Sequence, residues 1–337
     1  MSAETMKILI LTEGGKNIGF GHITRCMSLY EAFEERGIIP KIIVSGDDSV
    51  TDLLKGKDYQ ILDWINHRDR VFESADNNDV ILIDSYLADS PLYERISTLA
   101  KMPVYMDDNK RLDYPEGIVV NGGILAEELG YPEKDGLIYL LGSRFSISRK
   151  IFWRAPRKEI REQIKTIMLT FGGDDSKNMT PKILKFLIEN YQEAAKKVMI
   201  GRGFNNQNIE EIERLKDYRT ELVFYPDAER MKHVMAESDI AISAGGQTLY
   251  ELARVGVPAI VIAVAENQLN NIHGWQKIGC IEYAGWYNDK DLFGRIGDIL
   301  KDLNYKKRKA FSDRCRKIVD GQGAKRVVEG IIEACRA

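Results

Sequence analysis

The sequence predicts two α/β domains in tandem, each a parallel sheet wrapped by helices, and three observations carry that expectation. Short β-branched or apolar runs alternate with longer amphipathic ones from Lys7 onward, the rhythm of strand and crossover helix. A basic, uneven stretch from Arg149 to Arg161, with Pro156 near its centre, interrupts the rhythm, which restarts at Thr166. The 337 residues suffice for two domains of about 150 residues, each burying its own core.

In the first half, strands are expected at Lys7–Thr12, Lys41–Ser45, Tyr59–Trp64, Val80–Ser85, Pro103–Met106, Ile118–Asn121 and Leu137–Leu141. Helices are expected over Ile23–Arg36, before Val80 and between Pro91 and Lys101. The second half offers strands at Thr166–Phe171, Lys197–Ile200, Glu221–Phe224, Ile240–Ser243 and Ala259–Val264, with a helix from Pro181 to Glu193. Past Phe293 the pattern is helical: Leu292–Leu303, Tyr305–Val319 and, after a break at Asp320–Gly323, Ala324–Cys335. The expected domains are 1–155 and 160–305, with the helices of 306–337 packing back on the first.

Charge narrows the function. With 48 basic and 51 acidic residues the formal net charge is −3, so the Coulomb attraction that nucleic-acid coats and anionic-membrane binders use is missing. No nucleic-acid partner and no membrane association are expected. The start, MSAETMKILILTEGG, has no basic region followed by a long apolar core, which points to a cytoplasmic chain. Cys26, Cys280, Cys315 and Cys335 are scattered and make neither a disulfide framework nor a zinc site. Paired acids such as Asp107–Asp108 suit turn capping as well as a cation, and Asp289-Lys290-Asp291 reads as a helix cap. No metal and no cofactor are expected.

Three constellations carry chemistry. The first runs from Glu13 to Cys26, between the first strand and the first helix, with Gly14, Gly15, Gly19 and Gly21. Such a loop turns tightly and approaches a ligand closely, yet it is neither a Rossmann fingerprint nor a P-loop. His22 falls where the helix begins, near orphan amides and a positive dipole end. That field disfavours the imidazolium, and a neutral histidine suits a general base. The plainer alternative is a histidine that only satisfies the loop. Asp84, Tyr86, Asp107, Asp108 and Asn121 stand at other strand ends of this half.

The second constellation is Ser243–Glu251, small residues feeding a helix mouth whose amides suit a diphosphate. Glu251, three residues after Thr248, suits ribose hydroxyls; the plainer alternative is a strand-turn-helix whose Glu faces solvent. The third is Ala265–Gln268, whose Asn267 and Gln268 offer uncharged donors and acceptors. Gly172-Gly173-Asp174-Asp175 repeats the glycine theme after Thr166–Phe171.

Six motifs in order make a specific pattern. They are I-G-F-G-H-x-x-R at Ile18–Arg25, I-D-S-Y at Ile83–Tyr86, D-D-N at Asp107–Asn109, G-G-D-D-S-K-N at Gly172–Asn178, S-A-G-G-x-T-L-Y-E at Ser243–Glu251 and E-N-Q at Glu266–Gln268. Together they resemble the UDP-2,4-diacetamido-2,4,6-trideoxy-β-L-altropyranose hydrolases of pseudaminic acid biosynthesis, from the first strand to about residue 280. The resemblance implies a GT-B-like fold of two Rossmann-like domains facing across a cleft. It implies a UDP-sugar substrate and UDP as product, and metal-independent attack of water on the anomeric carbon with inversion.

Carried over by the resemblance, His22 is the base, and Tyr86 and Asn267 meet the sugar or its phosphate. Arg25 faces the phosphates, Glu251 takes the ribose, and Arg149 matches an arginine after the S-x-S. Gly19, Gly21, Thr24, Gly172, Gly173, Gly245, Gly246, Thr248 and Gln268 complete the expected binding set. A monomer suffices for such a site. The rivals are a glycosyltransferase using the same donor, since one scaffold serves both reactions, and a non-catalytic nucleotide-sugar sensor.

Overall fold

The computed structural model describes residues 6–16, 18–75 and 77–337. The first five residues and Asn17, both part of segments read above, lie outside the described residues, as does Asp76. The chain forms two compact units, one of Met1–Lys150 with Gly321–Ala337 and one of Ile151–Asp320.

The first unit holds strands β1 (Ile8–Gly14), β2 (Lys41–Gly46), β3 (Tyr59–Ile61), β4 (Val80–Asp84), β5 (Met102–Met106), β6 (Gly117–Asn121) and β7 (Leu137–Leu141). They pair in parallel in the order β3-β2-β1-β4-β5-β6-β7. β1, β4 and β6 are buried along their whole length, as strands covered by helices on both faces must be. The helix Gly21–Glu34 turns Ile23, Cys26, Leu29, Tyr30 and Phe33 inward, the spacing of one helical face. Against it packs the chain's last helix, Gly323–Ala334, through Val327, Val328, Ile331 and Ile332. Its entry tolerates only glycine, because a Cβ on Gly323 would stand 1.9 Å from the Ser146 carbonyl oxygen.

The second unit holds β8 (Thr166–Thr170), β9 (Ala195–Ile200), β10 (Thr220–Phe224), β11 (Ile240–Ala244), β12 (Ala259–Ala263) and β13 (Ile281–Trp286), in the parallel order β10-β9-β8-β11-β12-β13. Its core gathers Ile167, Leu169, Ile183, Leu187, Ile240, Ile242 and Ile260. The helix Tyr305–Ile318 belongs to this unit, so the segment 306–337 is divided between the two units. Phe152 and Trp153 of the basic stretch are both buried, and Arg254 donates to their carbonyls at 2.9 and 3.0 Å.

β13 is the one strand the sequence reading lacks. Glu282 interrupts its apolar run, Gly285 sits at φ +122°, and its register slips opposite Val261 and Ile262, so the period-two alternation that marks a strand is broken. Among the described residues no helix is long and apolar enough to cross a membrane.

Candidate active site

Each sheet reverses its strand order once, between β1 and β4 in the first unit and between β8 and β11 in the second. At such a switch point the connections leave on opposite faces and open a crevice beyond the carboxyl ends, where open parallel sheets bind ligands. The glycine loop follows β1, Ser85–Tyr86 follow β4, Gly172–Lys177 follow β8 and Gly245–Thr248 follow β11.

In the first unit, register decides what meets. Thr12 pairs with Asp84 across β1 and β4, which sets the loop leaving β1 beside Asp84. Gly15 and Gly19 exchange backbone hydrogen bonds of 3.0 and 2.8 Å. Gly19, at φ +91°, makes the left-handed turn that leads His22 onto the first turn of the helix. His22 Nδ1 then stands 2.6 Å from Asp84 Oδ1. Arg25 donates from Nε and Nη2 to the two oxygens of Asp84 at 2.7 and 2.6 Å, and from Nη1 to Asp108 at 2.6 Å. The guanidinium expected at the phosphates is thus held by two carboxylates.

Asp84 is ionised. Burial alone would raise its pKa, but Arg25 and the His22 bond hold it well below the usual carboxylate range. An ionised carboxylate only accepts, so Nδ1 of His22 carries the proton of that contact and the lone pair of the neutral ring lies on Nε2. Burial also opposes charge on His22. The hydrogen bond and charge of Asp84, with Glu13 adding to them, outweigh burial and the Arg25 repulsion and raise the pKa above 6.5. This corrects the expectation of a histidine held neutral by the helix end: a full charge in contact exceeds the partial charges of amide groups.

Two more side chains complete the cluster. The Tyr86 ring meets His22 edge-on, centroids 4.6 Å apart, and its hydroxyl donates to Asp108 at 2.6 Å. Burial and the Asp108 charge raise the phenol pKa, so the group stays a donor. Glu13, 1% exposed, accepts from the Tyr86 amide at 2.8 Å, the Leu87 amide at 3.3 Å and the Ser85 hydroxyl. Its Oε1 lies 3.9 Å from His22 Nε2.

In the second unit a cavity of about 330 Å³ opens at the switch point, lined by Gly172, Lys177, Gly246, Thr248, Asn267 and Gln268 among others. The helix Thr248–Val255 begins there with no side-chain cap. Its first bonds run from Leu249 to Gly246 and from Tyr250 to Gln247, and a helix mouth of this kind suits an anion. Gln268 Oε1 accepts from the amides of Gly245 and Val264, both at 3.2 Å, and ties the two strand ends together.

The structure therefore gathers His22, Arg25 and Tyr86 with the loop of Gly19, Gly21 and Thr24, and separately Gly172, Gly246, Thr248, Asn267 and Gln268. Gly173 and Gly245 are not among the residues lining this cavity; their carbonyls accept from Gly203 and Asn271 at 2.8 Å each. Glu251 lies on the first turn of its helix, and Arg149 lies near the end of the first unit's continuous segment. Sequence reasoning placed Asp84 at a strand end without a role, read Asp107–Asp108 as a turn cap or a cation pair, and gave no role to Glu13. The only local signal was their position directly at the ends of β1, β4 and β5.

Residues 166–318 match the glycosyltransferase family 28 C-terminal domain. An uncharacterised protein of Methanocaldococcus jannaschii is 25% identical over 78% of this chain and 57% of its own length. A spore coat polysaccharide biosynthesis protein of Bacillus subtilis is 25% identical over 96% of each chain. A Helicobacter pylori protein named pseudaminic acid cytidylyltransferase and UDP-2,4-diacetamido-2,4,6-trideoxy-beta-L-altropyranose hydrolase is 21% identical over 92% of this chain and 54% of its own. The chain thus spans little more than half the length of the archaeal and Helicobacter relatives. Among solved structures, the MurG of Acinetobacter baumannii superposes with a TM-score of 0.67 at 13% identity, covering 97% of this chain and 99% of its own. The MnaA of Staphylococcus aureus, solved with UDP, gives 0.69 at 15% identity, covering 98% and 97%. Two Rossmann-like parallel sheets, each with one switch point, and these structural neighbours establish that the chain has the GT-B fold of the MurG-type glycosyltransferases.

Proposed function

We propose that this chain is a nucleotide-sugar hydrolase that cleaves a UDP-linked 2,4-diacetamido-2,4,6-trideoxyhexose to UDP and free sugar in the making of a pseudaminic-type nonulosonic acid. The observation that carries the reading is the His22–Asp84 pair, 2.6 Å long, which assigns the basic lone pair to Nε2 beside a glycine loop at a switch point. The Helicobacter relative's name supports the substrate class. Water attacks the anomeric carbon from the face opposite the diphosphate, His22 Nε2 takes its proton, and the C1–O bond breaks with inversion. A positioned base of this kind supplies about 10²–10⁴ in rate.

In this reading the amides at Gly246 and Thr248 take up charge on the departing diphosphate. Asn267 and Tyr86 meet the sugar or its phosphate, Glu251 accepts the ribose hydroxyls, and Arg25 holds Asp84 in place. The enzyme works as a cytoplasmic monomer without metal or cofactor. The match to a glycosyltransferase C-terminal domain favours a second reading, transfer of the sugar to another acceptor. Incubation with UDP-sugars in ¹⁸O water separates the two by mass spectrometry. Hydrolysis at carbon puts label in the free sugar, label in UDP overturns the mechanism, and release that needs an added acceptor selects the transferase.

A further inference from the structure

We infer that Glu13 is a second catalytic residue, which accepts a hydrogen bond from the other O–H of the attacking water and so selects water over an alcohol as the nucleophile. The inference rests on the hydrolase reading above. A carboxylate offers about four lone-pair sites. Among the described residues three donors reach Glu13: the Ser85 hydroxyl and the Leu87 amide at Oε2, and the Tyr86 amide at Oε1. The remaining site lies on Oε1, the oxygen 3.9 Å from His22 Nε2. That spacing exceeds a hydrogen bond and lets one oxygen atom stand about 2.8 Å from both acceptors. The atom between them must bring two O–H donors. Water has two; the hydroxyl of a sugar or lipid acceptor has one and carries carbon in place of the other.

The step balances without a further reactant. The water oxygen forms its bond to C1 as one proton passes to His22 Nε2. The C1–O bond to the β-phosphate breaks, and its electron pair leaves with UDP. The second proton stays on oxygen as the new C1 hydroxyl, hydrogen-bonded to Glu13 Oε1, and His22 later releases its proton to solvent. Three donors on neighbouring chain hold Glu13 rigidly, so the acceptor pair is formed before substrate arrives. Asp84 cannot serve in its place, because its oxygens are taken by His22, Arg25 and the Cys26 thiol.

The test is a product ratio. Wild type and Glu13→Gln are incubated with the UDP-sugar in buffer containing methanol, and methyl glycoside and free sugar are counted by mass spectrometry. Loss of one ordinary hydrogen bond to water, about 1 kcal/mol, raises the ratio of methyl glycoside to free sugar about fivefold. A purely structural role slows both products together and leaves the ratio unchanged, which overturns the inference while the hydrolase reading stands. If wild type releases no ¹⁸O-labelled sugar from any UDP-sugar, both fail together. Should the variant not fold, a crystal structure of wild type with UDP decides. An ordered water within hydrogen-bond reach of both His22 Nε2 and Glu13 Oε1 is expected, and its absence there overturns the inference.

Discussion

Beyond β1 and β4 the strand ends gather side chains paired with one another, Asp84 with His22 and Arg25; beyond β8 and β11 the cavity is lined by glycines and uncharged amide side chains together with the charged Asp174, Asp175 and Lys177. The strand order reverses once in each sheet, so on the proposed reading the contrast reflects what each switch point has to hold. A base must sit at one atom in one tautomer, and only a side chain oriented by other side chains achieves that. Asp84 does it here, itself fixed by Arg25. A diphosphate asks instead for many donors at close range, which backbone amides provide once Cβ atoms are out of the way.

The contrast breaks first at His22. On the proposed reading, His22→Asn removes the basic lone pair and is expected to lower kcat by about 10²–10⁴, with UDP affinity unchanged by calorimetry because that reading gives the nucleotide to the other unit. Equal turnover in variant and wild type would take the base away from the first unit altogether.

Asp84→Asn comes next, with an expected loss of roughly 10–100-fold in kcat/KM, the range for groups that orient a reactive imidazole. The pH profile adds what a structural defect would not. Wild-type kcat/KM rises as His22 loses its proton, at a pH above 6.5 because its pKa is raised. Without the Asp84 carboxylate, burial and the Arg25 charge are opposed by Glu13 alone, the smallest of the contributions, so the limb moves to lower pH. Stability carries the opposite slope. A raised histidine pKa contributes stability that is fully present below about 6.5 and is lost as pH rises through the folded-state pKa. Urea titrations from acid to alkaline pH should show wild type weakening over the same window in which activity appears, and the variant should lack that slope. Coincident profiles in the two proteins would refute the pairing of Asp84 with His22.

What the sequence discloses follows the range of the interactions. β1, β4, β8, β11 and β12 are legible because a strand covered on both faces is a continuous apolar run, and the glycine loop and helix mouth are legible because their residues are neighbours in the chain. The charge state of His22 is not. Its helix end is local and was read, whereas Asp84 lies 62 residues away and arrives through the Thr12–Asp84 register, which no local pattern encodes. Glu13 was missed for the same reason: its partners Ser85, Tyr86 and Leu87 come from the segment that follows the neighbouring strand β4. The first unit's cluster is non-local and the second unit's helix mouth is local, so the two differ in legibility as they do in chemistry.

Two adjacent glycines sharpen the second region at smaller cost. A Cβ on Gly245 would stand 2.5 Å from Cγ1 and Cδ1 of Ile272 and 3.1 Å from Cβ of Gln268. Ile272 is fully buried and has nowhere to go, so Gly245→Ala should destabilise the protein by about 1–3 kcal/mol in denaturant titration. Gly246 is different. Nothing lies within 4 Å of a Cβ built there, its backbone is not left-handed, and it lines the cavity, so Gly246→Ala should leave the melting temperature where it was. On the proposed reading the added methyl enters space that a diphosphate approaches, and UDP should bind about fivefold more weakly, the equivalent of one hydrogen bond of about 1 kcal/mol. The pair separates two reasons for glycine at a helix mouth: at Gly245 the neighbouring helix needs the room, and at Gly246 the ligand does. Unchanged UDP affinity in Gly246→Ala, measured by calorimetry beside an intact melting curve, would move the nucleotide away from this helix mouth and leave its glycines with packing alone.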